Sequence, residues 1–171
     1  MKAIKIIGLV LVIIIFVFFS IGLIVPAYEY ESSIAVNAPA EKCWKVYHNA
    51  KLMNQWLQGF ESLTLKSGDS LATGSQYEIV ITDDGHRMVM SEKITAINTP
   101  TKVSYELDND VLKSEFSFSF EGSSPTTITS RYKITGNNIA WRSILFLSKS
   151  YMTNASNDQL TSLKKVIEEQ P

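Results

Sequence analysis

Cysteine, histidine and clustered positive charge are scarce in this sequence of 171 residues, and each scarcity excludes a class of protein. The single cysteine, Cys43, cannot form an internal disulfide and has no neighbours at the spacing of a metal site. The absence of any run of lysine and arginine argues against a nucleic-acid partner. A glycine-rich phosphate loop is also missing. We therefore expect neither a metal nor a nucleotide cofactor.

A nucleophilic catalytic set cannot be assembled from the sequence either. Only two histidines are present, and His48 follows a short helical segment, which favours a place at a helix end or on the surface. Asp83 and Asp84 precede Gly85 and are typical of a turn between two strands. No third carboxylate or histidine stands at ligand spacing from them, so they do not indicate a metal site.

The strongest positive feature is an apolar run at the N-terminus. Residues 6–25 carry no charge, and about 20 apolar residues in a helix are enough to cross the hydrocarbon core of a membrane. Lys2 and Lys5 precede the run, which places the N-terminus in the cytoplasm and the rest of the chain outside. A cleaved secretory signal is the alternative, although its apolar region usually has only ~7–15 residues.

The sequence therefore divides into an anchor, residues 1–27, and a domain, residues 28–171. Lys2 and Lys5 are two of the 16 basic residues, and none of the 17 acidic residues precedes Tyr28, so the domain has a net charge of −3. Contact with a membrane is expected through residues 6–25.

Beyond the anchor, the period of the apolar pattern indicates an α+β domain. A strand over 28–36 is followed by two short helices, at 40–48 and 52–57. Six further segments alternate apolar and polar residues as strands do, at 60–65, 77–82, 88–96, 103–107, 112–120 and 128–134. Such alternation predicts an antiparallel sheet with one covered face and one face in water.

The C-terminal segment should supply the cover. Residues 139–168 contain neither glycine nor proline, and their apolar residues recur at helical spacing. We predict one long helix here, with the polar stretch 154–159 as the place where it could bend. The expected fold is a curved antiparallel sheet of about seven strands wrapped on this helix, preceded by one transmembrane helix.

Two stretches of the domain carry a resemblance to a known family. Residues 34–44 (IAVNAPAEKCW), with Tyr47, His48, Asn49 and then Trp56, resemble the opening of the SRPBCC superfamily. Residues 94–105 are similar to its central strand, turn and strand. The resemblance covers about residues 29–168 and implies the START-type helix-grip fold of polyketide cyclase/dehydrase-like and lipid-transfer proteins. It also implies a deep, mostly apolar cavity but no single activity.

Glu92 and His86 are the candidate acid and base in the domain. Strand parity places both on the covered face with Met88 and Met90, where an unpaired carboxylate would be costly and its pKa raised. The alternative for Glu92 is structural, because a bulge in a strongly bent sheet would turn it outward.

Residues that suit an apolar ligand are much more numerous. They combine flexible thioethers with aromatic rings that carry a polar tip. The candidate ligand-binding residues are Tyr77, Ile79, Met88, Met90, Tyr105, Phe116, Phe118, Tyr132, Tyr151 and Met152. The alternative for each is that it fills the core.

Three functions follow from these features. The first is a membrane-anchored binding or transfer module that holds a small apolar ligand, such as a lipid or a quinone, in an internal cavity. The second is a cyclase/dehydratase-like enzyme that moves protons with Glu92, His86 or Tyr105. The third is a protein-interaction module with a filled core and an exposed apolar patch. The small number of ionisable residues at inward positions favours the first over the second.

Overall fold

The computed structural model describes residues 2–83 and 85–171. Asp84, one residue of the predicted turn, lies outside the described residues. Five helices and seven strands follow one another along the described chain. In chain order they are α1 (Lys2–Ile24), β1 (Ala27–Val36), α2 (Ala40–Tyr47), α3 (Met53–Trp56), β2 (Phe60–Ser67), β3 (Gln76–Asp83), β4 (His86–Asn98), β5 (Lys102–Asp108), β6 (Leu112–Glu121), β7 (Thr126–Gly136), α4 (Ile139–Leu147) and α5 (Lys149–Glu169).

The seven strands form one antiparallel sheet in the order β1-β7-β6-β5-β4-β3-β2. Every sequential pair from β2 to β7 is a neighbour, and β1 closes on β7. The sheet wraps around the C-terminal helix α5, which confirms the predicted helix-grip fold and its seven strands.

Alternation along the strands separates a covered inner face from a wet outer face. In β6, Phe118 and Phe120 are buried on the inner face, whereas Lys113 and Glu115 are exposed on the outer face. The apolar side of each strand is thereby removed from water, which stabilises the sheet by about 25 cal/mol per Å² of apolar surface.

The C-terminal segment differs from the prediction of one continuous helix. It is divided at Ser148 into α4 and α5, and the polar stretch 154–159 lies within α5 without a break. The Ser148 backbone N–H still bonds to the carbonyls of Ile144 and Phe146, which closes the last turn of α4. Because of this break the two helices pack in different places. Helix α4 lies against α1 and β7, and helix α5 lies against β1, α2 and α3.

The main core lies between α5 and the inner face of the sheet. Leu160, Leu163, Val166 and Ile167 of α5 are buried there, one or two helical turns apart. They pack with residues of α2 and of the central strands in a single apolar cluster. A smaller cluster around Tyr28, Ile134 and Leu145 lies toward α4.

The N-terminal helix is long and apolar enough to cross a membrane, with a mean hydropathy of 3.2. Most of its side chains are exposed, but its last two turns pack against α4. The Ser143 hydroxyl donates a hydrogen bond of 2.5 Å to the carbonyl of Phe18. A Cβ on Gly22 would lie 2.1 Å from the Ile139 carbonyl oxygen, so glycine is what allows this close approach.

Candidate functional site

A groove of about 430 Å³ opens between α5, α3 and the end of the β3–β4 pair. Its walls combine apolar and polar side chains. The lining residues are Tyr30, Trp56, Leu57, Gln58, Ile81, Asp83, Met88, Tyr132, Tyr151, Met152, Asn154, Ala155, Ser156, Asp158, Gln159 and Ser162. The groove exists because α5 packs on the β1 edge of the curved sheet and leaves the β3–β4 side less covered.

The inner face beneath α5 carries a row of stacked aromatic rings across four strands. The ring centroids of Tyr30 and Tyr132 are 4.9 Å apart, those of Tyr132 and Phe116 are 5.5 Å apart, and those of Phe116 and Tyr105 are 4.8 Å apart. The strand register places these residues directly opposite one another. Tyr30 and Tyr132 belong to both the row and the groove, so the groove has a flat aromatic floor.

Hydrogen-bonding groups also reach the groove. The indole Nε1–H of Trp56 is buried and has no acceptor within residues 2–83 and 85–171. The Ser156 hydroxyl lies 3.2 Å from that of Ser130. A ligand with a carbonyl or hydroxyl group could therefore be oriented here, since a buried donor without a partner costs about 1–3 kcal/mol.

Glu92 is the one buried carboxylate that the structure places on the inner face. It is 9% exposed, and its register opposite Tyr77 is regular, because the bulge in β4 comes later, between Ile94 and Ala96. The structure therefore places the side chain inward, as strand parity predicted. Burial raises the pKa of Glu92 to about 7, with no cation in the described chain to offset it.

His48 lies closer to this interior than the sequence indicated. It ends α2, as expected, but its ring is largely buried and packs on Trp44 at 4.2 Å between centroids. Its Nδ1 lies 3.0 Å from the Trp44 carbonyl, which requires a proton on Nδ1 and leaves Nε2 as an acceptor. The Tyr105 hydroxyl, 3.3 Å from Nε2, then donates to it. Burial lowers the pKa of His48 to about 4, so the ring is neutral.

A polar cluster thus lies behind the aromatic row. The charge of Glu92 acts on three buried tyrosines, namely Tyr47, Tyr105 and Tyr132, and raises the pKa of each beyond the effect of burial. Tyr132 connects this cluster to the groove, because it lines the groove and the charge of Glu92 acts on its hydroxyl.

The candidate acid and base from the sequence do not come together. His86 is exposed and pairs with Asp83 at the end of the β3–β4 pair. Glu92 stands six residues further along β4, which is about 20 Å at ~3.3 Å per residue. The histidine that approaches the interior is His48, which sequence reasoning placed at a helix end or on the surface.

The ten candidate ligand-binding residues are divided between groove and core. Met88, Tyr132, Tyr151 and Met152 line the groove. Phe118 and Tyr105 belong to the main core, with Tyr77 and Phe116 packed against it. Ile79 and Met90 are buried opposite each other on β3 and β4.

Twelve of the sixteen groove residues are not among the candidates from the sequence, and these twelve include Trp56, Tyr30 and Ser156. The parity of Tyr30 with Tyr28 was a usable signal for an inward ring. No sequence signal places Ser156 at the groove, because its position depends on how α5 lies on the sheet.

A second concavity, of about 550 Å³, lies on the outer face of the sheet. The four residues of the aromatic row, Tyr30, Tyr105, Phe116 and Tyr132, also border it, but most of its remaining lining residues are polar, including the exposed and charged Glu29, Glu31, Glu115, Arg131 and Lys133. Such a surface is unsuited to an apolar ligand, so the groove is the better candidate site.

Comparison with known proteins agrees with this geometry. The family model described as "Polyketide cyclase / dehydrase and lipid transport" matches residues 28–168. No curated protein matches the chain.

Solved structures show the same fold at low identity. The di-domain aromatase/cyclase BexL of the BE-7585A biosynthetic pathway has a TM-score of 0.66 at 16% identity and covers 85% of this chain, which spans 52% of that protein. The Zhui aromatase/cyclase from Streptomyces sp. R1128 has a TM-score of 0.67 at 10% identity, covering 83% of this chain and 94% of its own. Norcoclaurine synthase from Thalictrum flavum, solved with dopamine and hydroxybenzaldehyde, has a TM-score of 0.61 at 16% identity, covering 85% and 89%.

Identities this low establish the fold alone, whereas the family model covers nearly all of the chain beyond α1. The chain therefore belongs to the polyketide cyclase/dehydrase and lipid-transport family, within the SRPBCC superfamily, and carries a ligand-binding or cyclase-like module.

Proposed function

We propose that this chain is a membrane-anchored module that binds a small, flat, mostly apolar molecule, such as a lipid or a quinone, in the groove beside α5. The observation that carries the proposal is the groove itself, with the stacked rings of Tyr30 and Tyr132 as its floor and Trp56, whose buried N–H has no partner in the described residues, in its wall.

The size and chemistry of the groove suit such a ligand. Small-molecule sites usually measure ~300–1,000 Å³ and combine apolar walls with a few polar groups that fix orientation. Here the aromatic floor accepts a planar or extended apolar body. Trp56 can donate to a ligand carbonyl, and Met88 and Met152 can adapt to its shape.

The anchor in this proposal is α1, retained in the mature protein. Lys2 and Lys5 at its start favour a cytoplasmic N-terminus and an extracytoplasmic domain. Cleavage after Ala27 would remove the partner against which α4 packs, together with the bond from Ser143 to Phe18. This packing supports an anchor that is kept over a signal that is lost.

The proposal is tested by photo-cross-linking of the full chain in lipid nanodiscs. A fatty acid with a diazirine group and an azidoquinone serve as probes, and labelled peptides are mapped by mass spectrometry. We expect labelling of Trp56, Tyr132 and Met152, suppressed by an excess of unlabelled probe. Labelling confined to α1, where any bilayer molecule collides with the helix, would contradict a ligand site in the groove.

Filling the groove should abolish this labelling. Ala155 is exposed on α5 and lines the groove, so Ala155→Trp is expected to reduce labelling of Trp56 and Tyr132 at least tenfold. Asn157→Trp is the matched control, because Asn157 is exposed on α5 outside the groove lining. Equal labelling of the two variants would show that the groove is not where the probe binds.

A second candidate function, proton transfer to or from a bound carbonyl compound, is favoured by one observation. Glu92 has a pKa of about 7, which suits a general acid or base near neutral pH, and its charge reaches Tyr132 in the groove lining. Glu92 lies behind the aromatic row and outside the groove lining, so this function requires the ligand to reach past the row; the carboxylate would then accept an α-proton of the ligand, and the Tyr132 hydroxyl would donate to the developing enolate oxygen.

Deuterium exchange tests this second function without a known substrate. An enolisable aromatic ketone is incubated with the full chain in D₂O at neutral pD, and α-deuteration is followed by NMR. If Glu92 is the base, the wild-type chain speeds exchange about tenfold or more, and Glu92→Gln removes that increase. Exchange that is equal for the two proteins would assign Glu92 a structural role.

A further inference from the structure

A stripe of exposed apolar residues runs from α4 into the start of α5. Ile144 is 40% exposed, Leu147 is 60% exposed and Tyr151 is 69% exposed. Ile144 and Leu147 are three residues apart and so share one side of α4, and Tyr151 follows in the first turn of α5. Exposed apolar side chains that cluster in this way mark a contact surface.

The packing of α4 on α1 shows where this stripe points. Gly22 of α1 approaches Ile139, and both Gly22 and Phe18 approach Ser143. As α4 advances from Ile139 to Ser143, its contacts therefore move back along α1, away from the domain. Ile144 and Leu147 follow in the next turn of α4 and lie toward the N-terminal half of α1. That half is exposed and apolar, so it belongs in the hydrocarbon core of a membrane.

The charges near the stripe fit a lipid surface. Residues 139–157 contain two cations, Arg142 and Lys149, and no acidic residue. Basic residues next to exposed apolar side chains suit the boundary between anionic headgroups and acyl chains. Arg142 donates its Nε–H to the Gly136 carbonyl, and Lys149 Nζ lies 6.0 Å from the centroid of the Tyr28 ring, so both positive charges are held beside the stripe.

The same stripe reaches the mouth of the groove. Tyr151 is exposed and also lines the groove, next to Met152, with Met88 on the facing strand. We propose that the α4–α5 corner inserts into the outer leaflet of the membrane that holds α1, and so opens the groove directly onto the bilayer. The occupant of this surface is the lipid bilayer, and an apolar ligand passes between leaflet and groove without crossing water.

This inference rests on the proposed anchoring of α1, and it adds the depth and orientation of the domain. The last two turns of α1, about 10 Å at 1.5 Å per residue, run beside α4. If α1 fills the hydrocarbon core of the membrane, α4 lies in the outer part of that core. Because α4 packs against α1, the domain cannot rotate freely about α1.

The test uses the full chain in nanodiscs that contain lipids with a nitroxide on the acyl chain. An environment-sensitive fluorophore is attached to Leu147→Cys, and Cys43 is fully buried and so protected from labelling. Leu65→Cys is the matched control, because Leu65 is 42% exposed on β2, at the opposite edge of the sheet from β1, the strand that follows α1. We expect nitroxide lipids to quench the fluorophore at Leu147 at least threefold more than at Leu65.

Equal quenching at the two positions would overturn the proposal. Quenching at Leu147 could instead require a second protein in the same disc and be independent of the nitroxide. That result would also overturn the proposal and would assign the stripe to a contact between two copies of the chain. A further variant, Ile144→Glu with Leu147→Glu, should slow labelling of the groove by the membrane-borne diazirine fatty acid about tenfold with an unchanged end point. An unchanged labelling rate in this variant would contradict insertion of the α4–α5 corner. If the groove of the wild-type chain is never labelled, the ligand site itself is refuted.

Discussion

Glu92→Gln is expected to raise the free energy of unfolding of the domain by about 3 kcal/mol at pH 8 and to leave it nearly unchanged at pH 4. Burial raises the pKa of Glu92 from 4.5 to about 7, and a shift of that size corresponds to about 3 kcal/mol. The folded state binds the proton more tightly than the unfolded state, so this group destabilises the fold progressively as the pH rises from 4.5 to 7. Glutamine has the same shape and carries no charge.

His48 produces the opposite dependence in nearly the same pH range. Burial lowers its pKa from 6.5 to about 4, so the unfolded state binds the proton more tightly. Stability from this group is present above pH 6.5 and is lost as the pH falls through 4. In the wild-type chain the two effects oppose each other, and the Glu92→Gln variant should expose the acid sensitivity that His48 causes.

The measurement is urea unfolding of the full chain in detergent micelles at pH 4, 6 and 8, followed by tryptophan fluorescence. Glu115→Gln, on the exposed outer face of β6, is the matched control and should change stability by less than about 0.5 kcal/mol. A loss of stability in Glu92→Gln at pH 8 would contradict an uncompensated buried carboxylate.

Phe118→Ala should lower the free energy of unfolding by about 3–5 kcal/mol, the usual cost of a large cavity in a core. Phe118 is 2% exposed, and its ring lies 4.6 Å from that of Tyr47 between centroids. Met88→Ala is the comparison, since Met88 is 39% exposed at the groove and should cost less than about 1 kcal/mol.

Two measurements on both variants distinguish a core residue from a ligand-binding residue. One is thermal and urea unfolding, and the other is the cross-linking yield per folded molecule. Phe118→Ala should unfold early but label normally while folded, and Met88→Ala should do the reverse. A stable Phe118→Ala variant that no longer binds the probe would move Phe118 from the core to the ligand site.

Strand parity proved a reliable guide where one face of the sheet is fully covered. It placed Glu92 on the inner face, because a side chain at every second position of a regular strand must share the face of its neighbours. Strand parity did not predict how deeply each side chain is buried. His86 and Met88 share the parity of Glu92 but lie beyond the part of the sheet that α5 covers, so they are exposed or half exposed.

Residues at helix ends were harder to place. His48 and Ser148 both follow helical segments, and local sequence does not tell whether such a residue turns inward or marks a break. Tyr105 and Trp44 hold the ring of His48 inside. The packing of α4 against α1 divides the C-terminal segment at Ser148, a tertiary contact between residues more than a hundred positions apart.

Amino-acid order alone determined the apolar N-terminal helix, the strands with their faces, and the family to which the domain belongs, since each depends on short-range periodicity or on a local motif. Tertiary structure alone decided which inward residues line a groove and which fill the core. The row from Tyr30 to Tyr105, the open Trp56 N–H and the contact between Gly22 and Ile139 all depend on strand register or helix placement. Those are set by the packing of the whole chain, because residues far apart in sequence must share one small volume.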